Sequence, residues 1–121
     1  MEKTLTKVGH QTEVHEAFGG RLRTIICGGS SLDADVIKSL DTYGIQVLEE
    51  YGITECSPVI SCNRKVSKLL GSVGIKAPDE YCQIKIIDGE LCVKGDIVFR
   101  KYFRNEEETR AAKPDGSFNP I

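Results

Sequence analysis

Five consecutive residues, 51–55, bring together side chains with complementary chemistry. They read YGITE, so an aromatic ring, a flexible glycine, a hydroxyl and a carboxylate lie within one short stretch. Tyr51 can stack on a nucleotide base, Thr54 can hydrogen-bond a phosphate, and Glu55 can hold Mg²⁺, which prefers oxygen ligands. The same residues also fit an ordinary loop with a core tyrosine and a solvated acid. Side-chain chemistry alone favours neither interpretation.

A second candidate site is the turn at residues 28–31, which reads GGSS. Backbone without a Cβ can approach a planar or phosphorylated ligand closely, and a following helix would offer free N–H groups to it. Ser30, followed three residues later by Asp33, resembles the N-terminal capping box of such a helix. Glycines at turns of this kind more often serve only the geometry of the chain, so the turn alone is a weak indication of a ligand site.

Both candidate sites follow predicted strands of one α/β unit. The apolar runs at 24–27 and 45–48 predict buried strands, and the i, i+3, i+4 spacing of apolar residues over 36–43 predicts an amphipathic helix between them. A strand–helix–strand unit of this length predicts a parallel crossover. Ligands of α/β sheets bind at the carboxyl ends of parallel strands, and both candidates fall at that edge.

One crossover unit cannot bury both faces of a parallel sheet. The first half of the chain therefore predicts part of a larger α/β layer. We expect the exposed face and edge of this partial sheet to cause self-association of the chain or a rearrangement of residues 1–20.

The second half of the chain has a different periodicity. Apolar and polar residues alternate over 82–87 and again over 90–95, on either side of the favoured turn dipeptide Asp-Gly. This pattern predicts a hairpin, and residues 97–99 predict a further strand. Residues 105–112 predict a charged helix, and a Pro/Asp/Gly turn follows it.

The polar and basic stretch 61–71 predicts the boundary between the two halves. We expect residues 1–66 to form a partial α/β subdomain that carries the YGITE motif. Residues 67–121 are expected to form a small β-subdomain ending in the helix-like stretch. The fold class is α/β: a partial parallel layer followed by a small antiparallel sheet or open barrel.

Bulk composition excludes several classes of protein. The 121 residues include 16 basic and 18 acidic side chains, a balance too even for a nucleic-acid or anionic-membrane surface. No apolar run approaches the roughly 20 residues that span a bilayer, and the first residues lack the apolar core of a signal peptide, so a cytoplasmic protein is expected. Five cysteines without a C-x-x-C pair favour buried thiols over a disulfide framework or a zinc site.

The chain resembles the adenylate-forming superfamily, which includes acyl-CoA synthetases, luciferases and peptide-synthetase adenylation domains. YGITE is similar to the YGxTE signature of that superfamily. Five further segments resemble its other motifs in the same order, with wording nearest to the long-chain fatty acid type: GGRLR to GGSSL over 19–32, GSVG at 71–74, GELCVKG at 89–95, YFRNEEET at 102–109 and DGSF at 115–118.

The resemblance implies a role for each residue of the candidate sites. Nucleotide contacts are implied for eight residues, with Tyr51 stacking on adenine and Thr54 contacting the α-phosphate: Gly29, Ser30, Ser31, Glu49, Glu50, Tyr51, Gly52 and Thr54. Glu55 is implied as the Mg²⁺ ligand, and with Thr54 it would serve catalysis. The sequence departs from the family pattern at Ser30 and Ser31, where the family has Ala-Pro, and at Lys101 and Glu106, where it has glycine and proline.

The implied activity is that of an AMP-forming acyl-CoA synthetase, which activates a fatty acid with ATP to acyl-AMP and transfers the acyl group to coenzyme A. The phosphate-binding loop, the ribose-binding aspartate and the lid lysine of the family have no counterpart in these 121 residues, so we expect the chain alone to be inactive. Two alternatives remain: an adenylation domain of another ligase, such as a peptide synthetase, and a small non-enzymatic interaction module that reuses the fold.

Overall fold

The computed structural model describes residues 11–113 and the backbone of residues 119–120. Helix α1 covers residues 11–17. The remaining elements follow in chain order: β1 Thr24–Cys27, α2 Ala34–Thr42, β2 Gln46–Gly52, a 3₁₀ turn Thr54–Cys56, β3 Val59–Cys62, β4 Ile75–Lys76, β5 Gln83–Ile87, β6 Glu90–Lys94, α3 Glu106–Ala112 and β7 Asn119–Pro120.

The first sheet has the strand order β1-β2-β3-β4. β1 and β2 pair in parallel, with Thr24 opposite Gln46 and Cys27 opposite Glu49, which confirms the predicted crossover. β3 and β4 then add in antiparallel fashion. The sequence did not predict these two strands, and the expected linker at 61–71 is wrong at its start because Ser61 and Cys62 lie in β3.

Helix α2 connects β1 and β2 and packs on the sheet through Ile37, which is buried. Its N-terminal cap is Asp33, whose carboxylate accepts a hydrogen bond from the Asp35 N–H at 2.7 Å. The predicted cap at Ser30 is therefore wrong, since the helix begins at Ala34 and only Asp33 is adjacent to its unpaired N–H groups. Residues 28–33 are left as a turn without helical structure at the end of β1.

The second sheet has the strand order β5-β6-β7. β5 and β6 form the predicted hairpin, with Gln83 opposite Lys94 and Ile87 opposite Glu90. Asp88 and Gly89 both have positive φ, as a tight hairpin turn requires. The predicted strand at 97–99 is wrong: these residues lie in and just after a turn in which the Val98 N–H donates to the Gly95 carbonyl.

The two sheets share one apolar core. Its buried members are Cys56 and Ile60 from the first half and Cys82 and Val93 from the second. Ile97 and Val98 pack against this cluster instead of extending a strand, which explains why an apolar run was mistaken for one. The first sheet also reaches Lys76, beyond the boundary expected at residues 66 and 67; a division of the chain into two subdomains stays a prediction.

Helix α3 follows the second sheet and begins after Asn105, whose side chain accepts a hydrogen bond from the Glu108 N–H. It confirms the charged helix that the sequence predicts at 105–112. The predicted turn after it lies outside the described residues, as does the DGSF segment. Across the described ranges, no helix is long and apolar enough to cross a bilayer.

The fold class is confirmed as mixed α/β, with a sheet that contains a parallel pair and a small antiparallel sheet. β1 is an outer strand of the first sheet, and Ile26 on it is 64% exposed. An outer strand with an exposed apolar side chain favours association with other strands, so self-association remains a prediction.

Candidate functional site

A cleft of about 460 Å³ opens at the carboxyl ends of β1 and β2. Three segments line it: residues 29–32 of the turn after β1, residues 49–53 at the end of β2, and Gly71 with Val73 before β4. The first two segments contain every nucleotide-binding residue that the sequence predicted except Thr54. The third segment was not predicted.

The turn after β1 begins with two glycines, and the second of them lines the cleft. Gly29 has φ +83°, a conformation that residues other than glycine rarely adopt, and a Cβ built there would meet no atom within 4 Å. Gly28 lies against the Glu50 side chain, because a Cβ at that position would be 2.3 Å from Glu50 Oε1. The Glu50 carboxylate thus lies against the start of the turn that follows β1.

β2 is irregular at its carboxyl end. Its pairing with β3 shifts register between Tyr51 and Gly52. A Cβ at Gly52 would lie 1.7 Å from the Pro58 carbonyl oxygen, so the two backbone segments touch and only glycine fits. The preceding Tyr51 is left 37% exposed on the cleft wall. A partly exposed aromatic ring beside a glycine-rich turn can receive a planar ligand.

Thr54 and Glu55 do not line the cleft. They open the 3₁₀ turn that follows it, where Thr54 is exposed and Glu55 is half-buried. Glu55 Oε1 accepts a hydrogen bond from the Tyr102 hydroxyl at 2.7 Å. The Glu55 carbonyl accepts a second one from the Phe99 N–H, also at 2.7 Å. Residues 99–102 therefore hold both the backbone and the side chain of Glu55.

The hydrogen bond between Tyr102 and Glu55 shifts the pKa of both side chains. The hydroxyl stabilises the charged carboxylate and lowers the pKa of Glu55. The same hydrogen bond is the main cause that raises the pKa of Tyr102. Glu55 is thus an anion at neutral pH, with an oxygen set in place next to the cleft.

The Glu55 carboxylate is suited to be one ligand of a magnesium ion whose other ligands come mainly from a bound nucleotide. Carboxylate oxygen is the ligand type that Mg²⁺ prefers, and Mg²⁺ commonly takes one or two protein carboxylates together with phosphate oxygens and water. Among the described residues, no group of three or more His, Cys, Asp and Glu side chains could hold a metal by itself. A metal at Glu55 would therefore need further ligands from phosphate.

The expectation of buried thiols holds for three of the five cysteines. Cys56, Cys82 and Cys92 are buried, whereas Cys27 and Cys62 are partly exposed. Burial raises the pKa of Cys56 to about 11 and also raises the pKa of Cys62 and of Cys82. Cys56, Cys62 and Cys82 are therefore poor nucleophiles at neutral pH.

Sequence reasoning missed two residues that organise the site, Tyr102 and Asn63. Tyr102 bonds to Glu55, 47 residues earlier in the chain, and Asn63 bonds to a loop that has no apolar periodicity. Neither residue stands in a run with a helical or strand period. Asn63 is buried, with 3% of its surface exposed, and its backbone N–H donates to the Glu49 carbonyl at 2.9 Å. A polar residue between a strand and a basic loop gives no signal of such burial.

Comparison with known proteins identifies the family. Residues 1–103 match the family described as AMP-binding enzyme, and the chain belongs to this family. It is 37% identical over 114 residues to long chain acyl-CoA synthetase 7, peroxisomal, of Arabidopsis thaliana, a match that covers 81% of this chain and 16% of the relative. It is 34% identical over 106 residues to the long-chain-fatty-acid–CoA ligase FadD15 of Mycobacterium bovis, covering 88% and 18%.

A solved structure agrees with the family and with the fold. The o-succinylbenzoate coenzyme A synthetase of Bacillus subtilis, in complex with AMP, superposes with a TM-score of 0.62 at 28% identity. The match covers 80% of this chain and 22% of that one. The chain spans about a sixth of the length of the two curated relatives. The resemblance read from the motifs is thereby confirmed.

Proposed function

We propose that this chain is the adenylate-binding segment of a CoA ligase that activates a long-chain fatty acid. In that reaction, a fatty acid carboxylate attacks the α-phosphorus of ATP, pyrophosphate leaves, and the acyl group of the resulting acyl-AMP passes to the sulfur of coenzyme A. The observation that carries the proposal is the convergence of residues 29–31 and 49–52 on one cleft at the carboxyl ends of β1 and β2.

The cleft suits the adenine end of the nucleotide. Tyr51 offers an exposed aromatic face for stacking, and Gly29, Ser30 and Ser31 offer backbone and small side chains along the edge of the base. Glu49 and Glu50 lie on the same wall. The volume of about 460 Å³ is within the range of ordinary small-molecule pockets.

The residues after the cleft suit the phosphates. Thr54 is exposed directly beyond Ile53, the cleft residue that follows β2, so its hydroxyl is available to the α-phosphate. Glu55 would hold Mg²⁺, which supplies neutralisation of phosphate charge when it is bound. Tyr102 keeps the Glu55 carboxylate anionic and oriented before any ligand arrives.

The names of the relatives support a fatty acid as the acid substrate. Two relatives are named for long-chain acids, which supports a fatty acid, whereas the structural neighbour is named for succinylbenzoate. We propose that the 121 residues do not catalyse the reaction alone, because adenylation depends on several converging groups. A cytoplasmic location stays a prediction, and one relative is named peroxisomal.

Binding of AMP to the chain tests the proposal. AMP is titrated into ¹⁵N-labelled protein, and we expect chemical shift changes at residues 29–31 and 49–53. Tyr51→Ala should weaken AMP binding by about tenfold, the size of one lost stacking contact. Tyr81→Ala, which removes an exposed tyrosine from the second half, is the matched control and should change nothing. Shifts that avoid the cleft, or no shifts at millimolar AMP, would reject the proposed site.

A further inference from the structure

Both the oxygen and the nitrogen of the Asn63 side-chain amide form hydrogen bonds within the protein. It follows β3 directly, and Oδ1 accepts a hydrogen bond from the Leu69 N–H at 3.1 Å. Nδ2 donates to the Ser72 carbonyl. Buried amides are normally satisfied in this way because an unpaired one is costly. The two bonds join one side chain to both ends of the turn at residues 69–72.

The turn bonded to Asn63 lies next to two residues that line the cleft. We call residues 64–74 the cleft loop; Gly71 and Val73 within it line the cleft. The backbone N–H of Asn63 donates to the carbonyl of Glu49, a cleft residue on β2. Asn63 itself does not line the cleft, so its effect on a ligand passes through these contacts.

Other contacts hold the two ends of the cleft loop. Lys68 pairs with Asp41 of α2 at 2.6 Å, and the Gln46 side chain donates to the Lys65 carbonyl. Gly74 lies so close to Cys62 and Asn63 that a Cβ would be 2.2 Å from their backbone. Between these anchors, the turn with Gly71 is fixed by the Asn63 side chain, while Val66 is 95% exposed.

We propose that Asn63 is a positioning residue for adenine nucleotide binding. It holds the cleft loop so that Gly71 and Val73 face the glycine-rich turn and the end of β2 across the cleft. The inference rests on the proposed function and adds to it a residue that no motif indicates.

Two variants test the role of Asn63. Asn63→Ala removes both side-chain hydrogen bonds. Asn63→Asp keeps the size and the acceptor for Leu69 but places an anionic oxygen opposite the Ser72 carbonyl, and it serves if the alanine variant does not fold. Two readouts are needed: amide hydrogen exchange at Leu69 and Gly71, and AMP affinity by NMR titration.

We expect Asn63→Ala to speed exchange of the Leu69 amide by about tenfold or more, since its acceptor is lost. AMP affinity should fall by about tenfold in both variants. Val66→Ala is the control within the same loop and should leave both readouts unchanged. Val93→Ala, in the shared core away from the cleft loop, controls for general destabilisation; it should leave AMP affinity unchanged.

The outcomes separate this inference from the proposed function. Unchanged AMP affinity in both Asn63 variants, or unchanged Leu69 exchange in Asn63→Ala, would overturn the positioning role while wild-type binding upholds the site. An AMP affinity that falls equally in Val93→Ala would also overturn it, because a general loss of stability would explain the effect. A wild-type chain that does not bind AMP would reject the proposed function and this inference together.

Discussion

The two sheets differ in how they are held together and in what they carry. The second sheet is built around a hairpin whose strands are joined by two residues, and it contains none of the predicted site residues. The first sheet joins strands that are distant in sequence, and the cleft lies where two of them end. The residues that we propose to bind nucleotide thus lie where segments distant in sequence meet.

The second sheet still influences the site. Cys82 and Val93 contribute to the core under the first sheet, and Phe99 and Tyr102 hold Glu55 from beyond β6. The comparison therefore separates a region that we propose to bind nucleotide from a region that supports it. Four predictions test this division, in order of decreasing effect.

The largest effect is expected for Gly52→Ala. The new Cβ would collide with the Pro58 carbonyl oxygen, which is backbone and cannot rotate away. We expect a loss of about 3 kcal/mol or more in the free energy of unfolding, measured by urea denaturation with circular dichroism. Gly89→Ala in the hairpin turn is the control: its φ is positive but its Cβ meets open space, so about 1–2 kcal/mol is expected. Equal losses of unfolding free energy in Gly52→Ala and Gly89→Ala would contradict the proposed difference in packing between the end of β2 and the hairpin turn.

The second prediction concerns Glu55→Gln in a full-length ligase that contains this segment. The variant keeps shape but removes the charge, and adenylation should fall by about 10²-fold, as for other lost electrostatic stabilisers. Extra Mg²⁺ should restore part of the rate, measured by ATP–pyrophosphate exchange. Glu90→Gln, at the exposed first residue of β6, should keep the wild-type rate. A Glu55→Gln enzyme at full rate in low Mg²⁺ would refute the metal role.

The third prediction concerns the shared core. Val93→Ala should cost about 2 kcal/mol and should speed hydrogen exchange in both sheets, because the core joins them. Ile86→Ala at the exposed end of the hairpin should change stability by less than about 0.5 kcal/mol. If Val93→Ala loosened residues 83–94 and left residues 46–52 protected, the two sheets would be independent.

The smallest effect is the pH dependence of the Tyr102–Glu55 hydrogen bond. Folding lowers the pKa of Glu55 below its ordinary value of 4.5. The contribution of Glu55 to folding stability is therefore fully present above pH 4.5 and is lost as the pH falls through the lower pKa of the folded state. Folding raises the pKa of Tyr102, so its contribution is present below 10.0 and is lost as pH rises through the higher folded value. Wild type and Tyr102→Phe should therefore differ in stability at neutral pH and converge at both extremes. A constant difference across all pH values would contradict the hydrogen bond.

Sequence reasoning succeeded where neighbouring residues determine the structure. The Asp88–Gly89 turn and the alternation around it predicted the hairpin, and the apolar spacing of 36–43 predicted α2. The family motifs predicted seven of the residues that line the cleft: Gly29, Ser30, Ser31, Glu49, Glu50, Tyr51 and Gly52.

Sequence reasoning failed where a distant contact decides. β3 follows a proline and pairs back on β2. With four residues, it is too short for an alternating pattern to be detected in the sequence. Ile97 and Val98 have the composition of a strand, but the core next to Cys82 and Val93 takes their side chains. The hold of Tyr102 on Glu55 spans 47 residues and leaves no local pattern.

This separation also sets an order of events on the ribosome. Glu55 leaves the exit tunnel 47 residues before the tyrosine that fixes it, and synthesis proceeds at about 5–20 residues per second. The signature turn is therefore without its partner for about 2–10 s at those rates. The hairpin, in contrast, forms within about 1–10 μs once both of its strands have emerged. Nascent chains consequently complete the β5–β6 hairpin before the turn at Glu55 is closed. A chain released before residue 102 carries the signature without the residue that orders it.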